Sequence, residues 1–207
     1  MAAEYPRAWE YLKSHKVALE DREHGEMRGA GWHGYTRNQA LTAMPQAKIV
    51  VPDYYAHASF GIDAAGEYFF CGGGAGGYGI VLRGDVDPRY VTALLNSKLL
   101  DWYLQKITVR AYQTAYMYVK KYIEQIPIKL PGTEDGAQIH ASLVQLVETI
   151  TKLTFRLFAA ATPHERTALQ RQIDGANQKI DSLVYRLYGV TDIEITSVEG
   201  LSSDSVA

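Results

Sequence analysis

The sequence predicts an α+β protein: a small, mainly antiparallel β domain with flanking helices, followed by a C-terminal antiparallel helical hairpin of coiled-coil character. Three observations predict it. Short β-branched runs between residues 32 and 82 are separated by turn residues rather than by helix-length periodic stretches, which favours antiparallel pairing over βαβ units. Asp87-Pro88 opens an amphipathic helix directly after them. Ile139, Leu143, Leu146, Ile150, Leu153 and Leu157 then recur at spacings of 4, 3, 4, 3 and 4. After Thr162-Pro163, the residues Leu169, Ile173, Ala176, Ile180, Leu183 and Leu187 repeat that series.

In chain order, Glu4 to Arg22 reads as one helix, with Tyr5, Trp9, Leu12, Ala18 and Leu19 on a shared face and Pro6 tolerated in its first turn. Gly25, Gly29 and Gly31 end that pattern. Lys48 to Pro52, Glu67 to Cys71 and Gly79 to Leu82 read as strands, and Asp63-Ala-Ala-Gly66 supplies turn chemistry before the second. Asp87 is the expected N-cap of a helix whose apolar face runs from Val91 to Tyr103. Thr108 to Tyr118 is polar and tyrosine-rich, without clear period. Val119 to Ile126 is a short segment limited by Pro127. In the hairpin, each apolar seam is about 28 Å long at 1.5 Å per residue. Thr162 and Glu165 have capping-box spacing, and Gly189 is placed to end the second helix. From Gly200 the serine-rich tail is expected to fray. Pro127, Pro131 and Gly132 suggest a division into an α+β part over 1–131, a helical hairpin over 132–190 and a tail over 191–207.

Of the 207 residues, 47% are hydrophobic and 21% charged, which excludes disorder as the dominant state. The formal net charge of −2 predicts neither a nucleic-acid nor a membrane partner for the chain as a whole. The charge is uneven, however. Residues 27–129 hold 11 Lys+Arg against 7 Asp+Glu, and residues 130–207 hold 6 against 10. A single cysteine, Cys71, excludes an internal disulfide and a Cys-cluster zinc site and fits a reducing compartment. No apolar run approaches the roughly 20 residues that span a bilayer, and no signal core precedes the first helix, so a cytoplasmic protein is expected. Tyrosine is abundant, at 15 against 5 Phe and 3 Trp. Most of these are expected to be half-buried core residues, with the excess hinting at a contact surface.

Two glycine patterns lie in Phe70 to Gly79. Gly72, Gly74 and Gly77 fit G-x-G-x-x-G, and Phe70, Gly72 and Gly74 fit the F-x-G-x-G of S-adenosylmethionine pockets. Both need a helix N-terminus after the glycines, whereas the strand-like Tyr78-Gly-Ile-Val-Leu82 follows, so both are rejected. What remains is either a flexible hairpin loop or backbone laid close against a large flat ligand. Trp32 to Gln39 clusters aromatics with Arg37, Asn38 and Gln39, whose side chains match guanine and adenine edges. An ordinary polar loop anchored by Trp32 explains the same composition. Thr108 to Tyr122 repeats the theme with Arg110, Gln113, Lys120 and Lys121. The alternative there is a solvated face with tyrosines packed inward. No H-E-x-x-H, G-x-S-x-G or Walker lysine occurs, nor the Pro-Pro loop of amino-methyltransferases.

The order of these pieces resembles the C-terminal specificity domain of TaqI-like adenine-N6 DNA methyltransferases, including fused restriction–modification enzymes. The resemblance rests on Tyr5-Pro…Leu19-Glu-Asp-Arg22, Trp32…Tyr35-Thr-Arg37, Lys48-Ile-Val-Val-Pro52, the Gly72 to Gly79 run, Tyr90…Leu94-Leu-Asn-Ser97, Lys120-Lys…Ile126-Pro and Ile180 to Asp192. It implies a non-catalytic target-recognition domain that binds double-stranded DNA while a separate methyltransferase core extrudes the adenine. That core, on the parent enzyme or a second subunit, is the implied protein partner. S-adenosylmethionine is expected only there, so this chain is expected to carry no cofactor and no metal. The candidate DNA contacts are Arg37 and Arg110 to bases or phosphates, Asn38 and Gln113 to bases, Lys120 and Lys121 to phosphates, Tyr35 and Tyr78 along the groove, and Tyr118. Gly73 and Gly74 would allow close backbone approach. An alternative is a protein-interaction or subunit-docking module built on the helical hairpin.

Overall fold

The computed structural model describes residues 1–36, 40–70, 76–111 and 114–200. The chain divides into two compact units, Met1–Ala43 and Met44–Ala207.

The first unit holds α1 (Pro6–Ser14), α2 (Lys16–Glu20) and the single turn α3 (Arg22–Gly25). The single helix expected over Glu4 to Arg22 is therefore interrupted. Ser14 Oγ donates to the Tyr11 carbonyl at 2.7 Å, a local bond that competes with the helical ladder, and the chain turns at His15. Trp32 is buried. Its ring lies 5.5 Å from that of Trp9 and 5.5 Å from that of His33. The Arg22 guanidinium donates to the carbonyls of Leu19, Trp32 and Gly34 at 2.8 to 3.0 Å and fastens the loop to α2.

The second unit is α+β, with two small antiparallel sheets, flanking helices and a long C-terminal helical pair. Sheet A has the order β3-β1-β4, from β1 (Lys48–Pro52), β3 (Gly61–Asp63) and β4 (Gly77–Ile80). Sheet B has the order β2-β6-β5, from β2 (Tyr54–Tyr55), β5 (Arg110–Ala111) and β6 (Ala115–Met117). Asp53 joins them: its N–H donates to Gly76 of the segment entering β4, and its carbonyl accepts from Tyr118 at the end of β6. The expected strand from Glu67 does not form over the described residues 67–70. The N–H groups of Glu67 and Tyr68 donate to the Asp63 carboxylate at 3.0 Å each, so a side chain takes the donors a ladder would use.

Asp87 caps α4 (Pro88–Leu95) as expected, accepting from Arg89 N–H at 2.8 Å. The helix expected to continue to Tyr103 is instead cut at Asn96 and Ser97, and α5 (Lys98–Ile107) starts afresh with Ser97 as N-cap. Asn96 leaves the helix to make two bonds with Phe60, accepting from its N–H and donating to its carbonyl, both at 2.8 Å. After the one-turn α6 (Lys120–Ile123) come α7 (Glu134–Ala159) and α8 (Pro163–Tyr188), capped by Thr133 and Thr162. Gly189 ends α8 in the left-handed region at φ 71°. The tail expected from 191 contains a further helix, α9 (Asp192–Val198). It is nucleated by a full capping box between Thr191 and Glu194, the same signal read at Thr162 and overlooked here.

One core runs from β1 through α4 and α5 to the base of the helical pair, with Ile49, Tyr90, Leu94, Leu104, Leu143 and Val184 at its centre. Val147 and Val184 lie off the expected seams because α7 and α8 also pack against α4 and α5. Towards the tip a separate cluster of Leu153, Ala160, Leu169 and Ile173 holds the two helices to each other. Among the described residues, no helix is long and apolar enough to cross a membrane.

Candidate nucleic-acid interface

Sheet B and the segments that enter and leave it assemble the candidate surface. Between Asp101 and Glu124 the chain has four cations, Lys106, Arg110, Lys120 and Lys121, and no carboxylate. Among the described residues none of the four pairs with a carboxylate. Lys13, Lys16, Arg28, Lys48, Arg89, Lys98 and Arg186 do, while Lys152, Arg156 and Lys179 on the helical pair do not, so what sets this stretch apart is its lack of any carboxylate. Three of the four lie over aromatic rings instead. Lys106 Nζ is 5.4 Å from the Trp102 ring, the Arg110 guanidinium 5.5 Å from Tyr116, and Lys121 Nζ 4.6 Å from Tyr122. A ring positions a cation without neutralising it, so the positive charge stays available to an incoming anion.

The backbone keeps these groups close. Arg110 pairs with Tyr116 across the sheet, and Tyr116 lies four residues before Lys120, which limits that separation to about 14 Å. The hairpin is fastened at its root by Thr108 Oγ1, which donates to the Met117 carbonyl at 2.7 Å, and by Met117 N–H to Val109.

Tyr118 leaves the expected contact set. It is fully buried, and its hydroxyl donates to Asp101 Oδ1 at 2.7 Å. Burial, and then that bond to a carboxylate, push its phenol well above the ordinary tyrosine range, so it stays neutral. Asp101 also accepts from Ala58 N–H and Gln105 Nε2, which ties the segment after β2 to α5. Tyr118 is thus a core residue fastened to α5 through Asp101.

The other expected contacts divide. Arg110, Lys120 and Lys121 are exposed and lie along one stretch of chain around sheet B. Tyr78 is half-buried on β4 of sheet A, opposite Val51. Tyr35 is 74% exposed and belongs to the first unit. Arg37, Asn38, Gly73, Gly74 and Gln113 lie outside the described residues. Reading the sequence alone did not single out Tyr55, Tyr116, Trp102 or Lys106. Counting carboxylates between Asp101 and Glu124 would have drawn attention to the last three.

No group of His, Cys, Asp and Glu among the described residues could hold a metal ion. A search of the curated proteins finds no match to the chain. A family profile does match, over residues 9–128, from the middle of α1 to just after α6, and leaves the helical pair outside it. That family is a specificity domain rather than a catalytic one. The match covers more than half of the chain, and the chain belongs to the TaqI-like C-terminal specificity domain family.

Proposed function

We propose that the chain binds double-stranded DNA in a sequence-specific way, as the target-recognition domain of a restriction–modification adenine-N6 methyltransferase. It brings no catalytic groups. The methyltransferase core, with its S-adenosylmethionine, belongs to the parent enzyme or to a separate subunit. The observation that carries the binding is the acid-free stretch 102–123, whose four cations are unpaired among the described residues and of which three rest on rings. Lys120, Lys121 and Lys106 take phosphates, and Arg110 a phosphate or a guanine edge. Tyr35, Tyr78, Arg37, Asn38, Gln113 and the backbone at Gly73 and Gly74 are further candidate DNA contacts, on the strength of the sequence alone. The recognition part extends over 1–131, with the helical hairpin 132–190 as its scaffold.

Fluorescence anisotropy with a labelled duplex between about 50 and about 200 mM salt tests this. Binding is expected to weaken steeply as salt rises. The double substitution Lys120→Ala, Lys121→Ala is expected to reduce the log–log salt slope by about 2. Absence of binding at the low-salt end, or an unchanged slope in the double variant, overturns the proposal.

A second reading, docking of the methyltransferase core on the helical pair, draws on Phe155 and Phe158. They are 71% and 82% exposed and lie three residues apart near the tip of α7. Two phenylalanines left in water on one helix face are an uncommon expense for a surface with no partner.

A further inference from the structure

The register of sheet B places Tyr55 opposite Tyr116 and Tyr116 opposite Arg110. Directly opposed residues stand on the same face of a sheet, about 4.5 to 5.5 Å apart. Tyr55, Tyr116 and Arg110 therefore form a single row across the three strands. The middle member is fixed from two sides: Tyr116 is half-buried against the main core and carries the Arg110 guanidinium over its ring. The outer member is open. Tyr55 is 52% exposed on β2, which is an edge strand of the sheet.

An intact duplex offers phosphates and base edges, which suit Arg110, but it keeps the faces of its bases stacked on one another. Only an unpaired base presents a face, and an aromatic side chain in water at a rigid position is the group that takes it. We propose that Tyr55, Tyr116 and Arg110 form a stacking row for one unpaired nucleobase, with the base against Tyr55 and its phosphate on Arg110. Lys120 and Lys121 follow Tyr116 in the chain by four and five residues, and their charge holds the flanking strand. This inference rests on the nucleic-acid reading above and adds to it the state of the nucleotide. The chain should prefer DNA with a base out of the stack to DNA with every base paired.

The experiment uses the full chain and two short duplexes that differ by a single unpaired 2-aminopurine. The bulged duplex is expected to bind about tenfold more tightly, the order that one base stacked on an aromatic ring supplies, with quenching of the 2-aminopurine fluorescence. Tyr55→Ala is expected to remove both the preference for the bulged duplex and the quenching. Tyr55→Phe and Tyr55→Trp keep the ring and should keep both signals. Tyr55 is largely in solvent, so these variants are expected to fold, and an unchanged thermal melt checks it. Equal affinity of the wild-type chain for the two duplexes overturns the inference alone, because the nucleic-acid reading survives as long as the paired duplex binds with its salt slope. A preference that persists in Tyr55→Ala also overturns it. Failure to bind either duplex overturns both.

Discussion

Lys48 and Asp63 show how single residues organise this chain. Both side chains are buried, and they pair across the β1–β3 register, where Lys48 also donates to the Met44 carbonyl. Asp63 further accepts from Glu67 and Tyr68 N–H, so one carboxylate holds a strand, a turn and the segment that leads towards the glycine-rich stretch. Burial by itself pushes its carboxyl up. Lys48 and the two N–H groups outweigh that and hold it at about 2, below its ordinary value of 3.8. The sign follows from linkage. A carboxylate whose folded value is depressed contributes stability that is fully present above its unfolded value and disappears as pH falls through the folded one. The melting temperature is therefore expected to fall as pH drops from about 4 towards about 2. Circular dichroism melts should show that component missing in Asp63→Asn, while an identical pH profile in the variant would refute the assignment. None of this was visible in the sequence, where Lys48 read as the polar start of a strand and Asp63 as a turn residue. Asn96 was quoted there as part of a family pattern, but its role waits on Phe60, 36 residues earlier. Long-range side-chain partners are the part of a site that periodicity does not encode.

At the scale of elements, the readable features were those written in local chemistry. β1, the Asp87 cap of α4, the two long C-terminal helices and the Gly189 stop all appear where spacing and caps put them. Three of the misreadings, the breaks at His15 and Ser97 and the absent strand after Gly66, share a cause. Ser14, Ser97 and Asp63 each give a side-chain bond to backbone that would otherwise continue a helix or a ladder, and pattern alone does not reveal which competitor wins. Two glycines separate local conformation from packing. Gly189 has φ 71°, and a Cβ there would meet nothing within 4 Å, so Gly189→Ala should cost only the left-handed backbone, about 1 kcal/mol. Gly66 has φ 69°, but its Cβ would lie 2.1 Å from the Pro45 carbonyl oxygen, a backbone atom that cannot rotate away. Gly66→Ala is therefore expected to cost at least twice as much as Gly189→Ala, measured as the urea-unfolding free energy. Equal losses would mean that residues 45 and 46 yield freely and that Gly66 is only a turn glycine.

At the scale of the molecule, the family match stops at residue 128 while the core does not. Ile139, Leu143, Val147, Ile180, Val184 and Leu187 pack into the same cluster as Ile49 and Leu94, so the lower half of the helical pair is part of the second unit's interior. The sequence showed the helical pair clearly, through two matched heptad series, but showed it as a separate appendage. A heptad seam reports the contact between two helices and is silent about a third face. That face is carried by Val147 and Val184, which break the seam. The upper half differs, since Leu153, Ala160, Leu169 and Ile173 form a cluster of their own. Two truncations therefore have opposite outcomes. A chain ending at residue 131 loses six buried aliphatic side chains from its core. Each contributes about 1.5 to 3 kcal/mol on burial, a total comparable to the whole stability of a domain this size. It is expected to show no cooperative thermal transition. Excising matched lengths of α7 and α8 around the tip and rejoining them with a short turn removes only the small cluster, and the transition should persist. Duplex binding should also persist in that shortened chain if the helical pair is only a scaffold. Docking through Phe155 and Phe158 would instead appear as lost association with the methyltransferase core at unchanged stability. A cooperative melt in the 131-residue chain would show that the front part folds alone and that the shared core contributes little to it.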